Sequence, residues 1–169
     1  MAYIESILMD NEKIIYQTKP HWIIYGTAVI WLIASLLLNS YFGPRLDLNM
    51  IMFNYPLYKV ASFILLIFAL YFGVGAFIYS ISAEFAVTNY RIIMKTGFIQ
   101  RNSLEILLEK VESVHVVQSI LGRILSFGTI IINGVGGTKD PFPNIFNPLK
   151  FREIVQQQSE KMFRANHEK

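Results

Sequence analysis

The sequence predicts an α+β membrane protein: a two-helix transmembrane hairpin, then a β-rich segment that ends in a helix. Three observations lead there. Trp22–Pro44 and Val60–Ala83 are runs of 23 and 24 residues without a charge. Glu84–Arg101 alternates apolar and polar residues around turn signals, and apolar residues from Leu149 to Met162 recur at helical spacing.

Composition supports the first observation. The chain has 169 residues, 53% apolar and only 16% charged, against about 25% charged in an ordinary soluble domain. About 20 apolar residues suffice to cross a hydrocarbon core of about 30 Å. Two such runs in succession are more than a buried core helix of a soluble protein requires. A cleaved signal peptide fits the first run poorly. Glu5, Asp10 and Glu12 precede it, and Asn39-Ser40-Tyr41-Phe42 is no small-residue cleavage site.

Helices are therefore expected at about residues 22–42 and 60–83. Trp22, Tyr25, Tyr41, Phe42, Tyr58 and Tyr79 stand at their ends, where aromatic residues meet the headgroups. Ala69, Gly73, Ala76 and Ser80 fall on one face of the second helix and permit close backbone approach. Packing against the first helix is favoured over a dimer seam. Between the helices, Leu46–Phe53 is apolar enough to lie in the interface.

Orientation follows from Lys and Arg. Lys13 and Lys19 precede the first run, Arg45 and Lys59 lie between, and Arg91, Lys95 and Arg101 follow the second. The bias places both termini in the cytoplasm, as an even number of spans requires. The expected organisation is a cytoplasmic segment 1–21 with a short strand at Glu12–Lys19, a transmembrane hairpin 22–83, and a cytoplasmic domain 84–169. The expected location is the inner (cell) membrane, as a multi-pass protein.

In the C-terminal part, Glu84–Asn89 reads as a strand with Phe85 and Val87 on one side. Asn89-Tyr90 is a turn, Arg91–Lys95 a second strand, and Phe98–Arg101 a return after Thr96-Gly97, whose glycine suits positive φ. Thr129–Asn133 is a β-branched strand ended by Gly134. Asn147-Pro148 opens a helix whose face holds Leu149, Phe151, Ile154, Val155, Gln158 and Met162. Ser103–Ser119 stays open. Leu104, Leu107, Leu108, Val111 and Val114 have helical spacing, while Val111, Val114, Val116 and Val117 favour a strand.

Thr88 and Arg91 as T-x-x-R, Lys95-Thr96-Gly97, Gln118 to Arg123 as QSILGR, Phe127-Gly128-Thr129 and Asn147-Pro148 follow one another in order. Upstream stands NEKIIYQTKPHW, Asn11–Trp22. The set resembles the bacterial pleckstrin-homology-like membrane family of the YdbS/YdbT type, departing from it at Asn11, a position often Gly. The resemblance covers about residues 11–152. It implies a PH-like bent antiparallel β-sheet capped by a C-terminal helix. It also implies two strands joined near Glu109-Lys110 and a short helical turn at Ser119–Leu125.

Chemistry is mostly excluded. Without cysteine there is no disulfide, thiolate metal site or cysteine nucleophile. His21, His115 and His167 are far apart; His21 reads as interfacial and His115 as a solvent-facing strand residue. Glu105, Glu109 and Glu112 read as a solvated face. Asn133–Asp140, NGVGGTKD, fails the P-loop pattern because Thr138 separates Gly137 from Lys139, and reads as a turn between strands. No catalytic, metal or cofactor site is expected, and the chain is read as no enzyme. Residues 84–169 hold eleven basic and eight acidic residues, too even a balance to favour nucleic acid.

The expected function is a non-enzymatic membrane-anchored adaptor that binds a protein partner, a larger member of the same family being the first candidate. The alternatives are an anionic-lipid-binding or sensing module and an accessory subunit of a transport or export system. Arg91, Lys95, Arg101 and Arg123 are the candidate lipid- or partner-binding residues. Neither helix carries an ionisable residue within its uncharged run, which argues against a self-sufficient transporter.

Overall fold

The computed structural model describes residues 4–5, 7–43, 45, 51–52, 55–97, 102–135 and 139–167. In chain order its elements begin with β1 (Ile14–Thr18), α1 (Gly26–Leu37), β2 (Ile51–Met52), β3 (Tyr55–Pro56) and α2 (Leu57–Ser82). There follow β4 (Glu84–Thr88), β5 (Arg91–Thr96), β6 (Asn102–Leu107), β7 (Val111–Val117) and α3 (Ile120–Ile124). β8 (Phe127–Gly134), β9 (Lys139–Phe146) and α4 (Pro148–His167) complete the chain. Two compact units result: Met1–His21 together with Tyr79–Lys169, and Trp22–Ile78.

The first unit is assembled from both sides of the apolar segments. β1 is the edge of a four-stranded antiparallel sheet ordered β1-β4-β5-β6, and β7-β8-β9 form a second antiparallel sheet. The sheets meet at a corner where β1 runs out. The Lys19 carbonyl accepts the Phe146 N–H at 3.1 Å, and the His21 N–H donates to the Asn144 carbonyl at 2.6 Å. Thr18 adds a hydroxyl bond to the Phe146 carbonyl at 2.7 Å. The edges of β6 and β7 face the other side, and α4 packs there against Leu108–Lys110 and β7.

The stretch 103–119 resolves into strands because alternation wins over helical spacing. Leu104, Ile106 and Leu108 on one arm and Val114 and Val116 on the other turn to the same core. A 3-10 turn at Leu108–Lys110 makes the break. Phe85, Val87, Ile92 and Met94 face this core from the first sheet, and Phe151 and Val155 close it from α4. Complete burial of each such side chain contributes about 1.5–3 kcal/mol. Leu149 departs from the expected helical face and is exposed.

β4 differs from the expected one-sided strand: it is buried throughout. Ala86 and Ile93, on the outer face, are covered by Ile4, with Ile7 and Ile14 packed alongside. The N-terminal segment is thus a lid on the first sheet as well as its edge strand. Gly97 has φ 87°, a left-handed value that glycine adopts without a Cβ clash. The return at Phe98–Arg101, the tip of the β8–β9 hairpin at 136–138 and most of Leu46–Phe53 lie outside the described residues.

In the second unit, Trp22–Phe42 and α2 are long and apolar enough to cross a membrane, with mean hydropathies of 1.8 and 2.4. The two helical segments face each other through small residues. Ser35 donates to the Ser62 carbonyl at 2.7 Å, and Trp31 stacks on Phe68. Gly73 faces Ala28, whose Cβ would lie 3.7 Å from a Cβ added to the glycine. The last turn of α2 belongs to the folded unit, and the Tyr79 ring packs on its core.

Candidate functional site

Two places in the folded unit carry the residues that the sequence singles out, and they are built in opposite ways. The first starts at the β4–β5 turn. The Thr88 hydroxyl accepts the N–H groups of Tyr90 at 3.2 Å and Arg91 at 3.0 Å, closing the turn. Asn89 then clamps the N-terminal segment. Its side-chain oxygen accepts the Lys13 N–H at 2.7 Å and its amide donates to the Asn11 carbonyl at 3.2 Å. Asn11 has φ 68°, a left-handed conformation that Asn tolerates better than most side chains, and that explains a position where Gly also fits.

Arg91 leaves this turn pointing inward. Its Nε and Nη2 donate to the two oxygens of Glu12 at 2.9 and 2.8 Å, a bidentate pair. Nη1 donates to Glu105 at 2.7 Å and Nη2 also to the Ile7 carbonyl at 2.8 Å. Arg91 is only 7% exposed. Burial alone would raise the Glu12 carboxyl. The Arg91 hydrogen bonds, the Met9 N–H and the Thr88 hydroxyl outweigh it and hold Glu12 below its ordinary value. Salt bridges and hydrogen bonds to Glu12 likewise raise Arg91.

All three guanidinium nitrogens are engaged within the fold, and Arg91 fastens β5 to the N-terminal segment. Lys95 is half-buried on β5, across from Glu84 and Ser103. Arg101 lies outside the described residues. Arg123 alone of the four is described as exposed.

Arg123 belongs to the second place, α3. Ser119 caps this helix by accepting the Gly122 N–H at 3.1 Å. Gln118 donates to the carbonyls of Gly122 at 3.3 Å and Phe127 at 2.9 Å, tying the helix to β8. Gly122 is buried; a Cβ there would stand 2.6 Å from the Phe127 carbonyl oxygen. With the glycine inward, the large residues point out: Ile120 is 81% exposed, Leu121 64% and Ile124 72%.

His21 also corrects its expected place. It is buried between Phe127 and Phe146, with ring centroids at 5.2 and 5.7 Å. Burial lowers its pKa, and a hydrogen bond to the Leu125 backbone opposes that effect in part. His115 is exposed on β7. Among the described residues no group of three or more His, Cys, Asp or Glu is placed to hold a metal. Elsewhere, a groove of about 340 Å3 runs between β7 and α4, lined by Glu112, Val114, Gln156, Ser159 and Phe163 among others.

Two sheets in this order, closed on one side by a C-terminal helix, set the comparison with known families. The description "bacterial PH domain" matches residues 27–159. The chain belongs to the bacterial PH domain family. No curated protein and no solved structure matches it. The residues matched to the bacterial PH domain begin after β1, so Glu12 reaches Arg91 from outside them.

Sequence reasoning missed Glu12, Thr88 and Glu105 as one cluster. The signal was present in two separate motifs, NEKIIYQTKPHW with Glu12 and T-x-x-R with Thr88 and Arg91. An acidic residue in one motif and a basic residue in the other are a reason to test the two as partners.

Proposed function

We propose that this bacterial PH domain protein is a non-enzymatic binding module, anchored at the inner face of the cytoplasmic membrane. Its occupant is a protein partner, with a larger member of its own family as first candidate. The observation that carries the anchoring is where the apolar segments are inserted: between β1 and β4, adjacent strands of one sheet. Strands that pair across a hairpin must lie on the same side of a membrane that the hairpin crosses. Only 6% and 11% of the most apolar windows of the two segments is buried, the reverse of a soluble core helix. Residues 57–78 extend roughly 33 Å at about 1.5 Å per residue, against a hydrocarbon core of about 30 Å. The Lys and Arg distribution supports the cytoplasm as the shared side.

Support for a protein partner comes from β7. Among the described residues it pairs only with β8, and the groove beside α4 flanks its other edge. An extended peptide can add to such an edge through backbone hydrogen bonds while the groove selects its side chains. A lipid reading is favoured at one position, Arg123, by its apolar neighbours on α3; Lys95 and Arg101 would extend it if they gather around the same headgroups. The transport-accessory reading has no comparable support.

Single cysteines at Asp10, Asp47 and Gln157 test the anchoring, because the chain has no cysteine of its own. A membrane-impermeant thiol reagent applied to intact cells is expected to label position 47 alone. Labelling at 10 or 157 would contradict the topology. A photo-crosslinker at Phe163 in native membranes tests the partner reading: protein adducts support it, and adducts to lipid alone would transfer the reading to the bilayer.

A further inference from the structure

α3 inverts the usual arrangement of a short helix on a sheet. It turns its glycine to the protein and its three largest apolar side chains, Ile120, Leu121 and Ile124, to the outside. Hydrogen bonds tie the helix down. Ser119 caps it, Gln118 ties both Gly122 and Phe127, and the Arg123 N–H donates to the Ser119 carbonyl at 2.9 Å. A packed support thus holds an apolar face outward, with a cation at its edge.

The position of this face in the chain says what covers it. His21 is the last residue of the N-terminal part of the folded unit, and Trp22 opens the first apolar segment. The His21 ring stacks on Phe127 with centroids 5.2 Å apart, and hydrogen-bonds the backbone of Leu125. Leu125 is the C-cap of α3. Where residues 22–42 span a bilayer, covalent continuity puts that bilayer's surface within a residue of His21. Leu125, at the end of α3, is one hydrogen bond from His21.

We propose that α3 is a bilayer-docking element: Ile120, Leu121 and Ile124 enter the boundary between headgroups and acyl chains, and Arg123 meets anionic headgroups. The inference rests on the spanning reading of residues 22–42. Apolar side chains with a cation beside them are what an interface-lying helix presents to an anionic leaflet. The helix is too short to hold to a membrane alone. Tethered by the hairpin, it needs only to fix how the folded unit faces the surface, which sets the direction in which the β7 groove is offered.

The test uses the full chain with one cysteine at a time, Leu121→Cys, Glu112→Cys or Val74→Cys, each carrying an environment-sensitive fluorophore. The proteins are reconstituted into phosphatidylcholine vesicles with or without phosphatidylglycerol, containing a lipid with a nitroxide high on its acyl chain. Position 121 is exposed, so the label does not disturb packing. Position 112 lies toward the opposite end of β7 and reports water. Position 74 lies in the second apolar helix and reports the span.

The expected result is a blue shift and quenching at 121 and 74, with neither at 112. Arg123→Glu should reduce the quenching at 121 in anionic vesicles and leave it unchanged in neutral ones. A water-like, unquenched label at 121 beside a quenched label at 74 overturns the docking proposal and leaves the span intact. A blue shift at 121 without lipid quenching also overturns it, in favour of a protein covering. An unquenched label at 74 removes the spanning reading and the proposal together.

Discussion

Arg91 and Arg123 read alike in the sequence, as basic residues ready for an anionic ligand. In the folded chain, Arg91 lies between Glu12 and Glu105 with its nitrogens engaged, while Arg123 stands exposed among three outward apolar side chains. The polar cluster is inside and the apolar one outside. What decides each case is the neighbour. A carboxylate delivered by the N-terminal segment makes burial of Arg91 tolerable, and an inward glycine forces its neighbours on α3 outward.

The largest expected effect breaks the inner half of this comparison. Arg91→Ala leaves the buried Glu12 carboxylate without its ion partner and should lower stability by about 3–5 kcal/mol; Glu12→Ala, which leaves Arg91 paired with Glu105, should cost less. Glu12→Leu combined with Arg91→Met should lose much less than the sum of the single changes. Urea unfolding of the detergent-solubilised protein measures all three. Additive losses would mean that the two residues do not act as one unit.

A middle-sized effect is expected from pH. His21 has a depressed pKa, so its contribution is present above its ordinary value of 6.5 and declines as pH falls below it. Glu12 is also depressed, so its contribution holds above 4.5 and is lost only at lower pH, through its folded value. Stability should therefore fall in two stages on acidification. His21→Phe, which keeps a ring between Phe127 and Phe146, should remove the first stage and leave the second. The pH dependence of the unfolding midpoint shows this directly.

The smallest effect sharpens the outer half. Arg123→Ala should leave the unfolding midpoint unchanged, since its side chain is exposed. Lost stability would place Arg123 in a structural role like that of Arg91.

Much of the architecture was legible where local chemistry and tertiary packing agree. The uncharged runs, the positive-φ glycine at 97 and the Asn147-Pro148 helix start needed no long-range information. Ser103–Ser119 was ambiguous because its leucines and valines satisfy two periods, and only a core on one side of both strands selects between them. The Glu12–Arg91 pair was not legible from spacing, as 79 positions separate its members. Neither was the outward face of α3: Ile120, Leu121 and Ile124 have the spacing of an inward face, and Gly122 reverses it only because β8 passes so close.

The central claim is that β1 and β4, which flank the two apolar segments in the chain, pair as neighbours in one sheet. Gln17 and Ala86 are direct partners in that pairing. Antiparallel partners have Cα atoms about 4.5–5.5 Å apart, within the range that a disulfide spans. The most direct measurement is oxidative crosslinking of the Gln17→Cys/Ala86→Cys protein in native membranes. An intramolecular disulfide is expected, with none when Gln17→Cys is combined instead with Glu112→Cys. No crosslink at 17 and 86, with the cysteine at 17 remaining open to thiol reagents, would contradict the pairing and the account built on it.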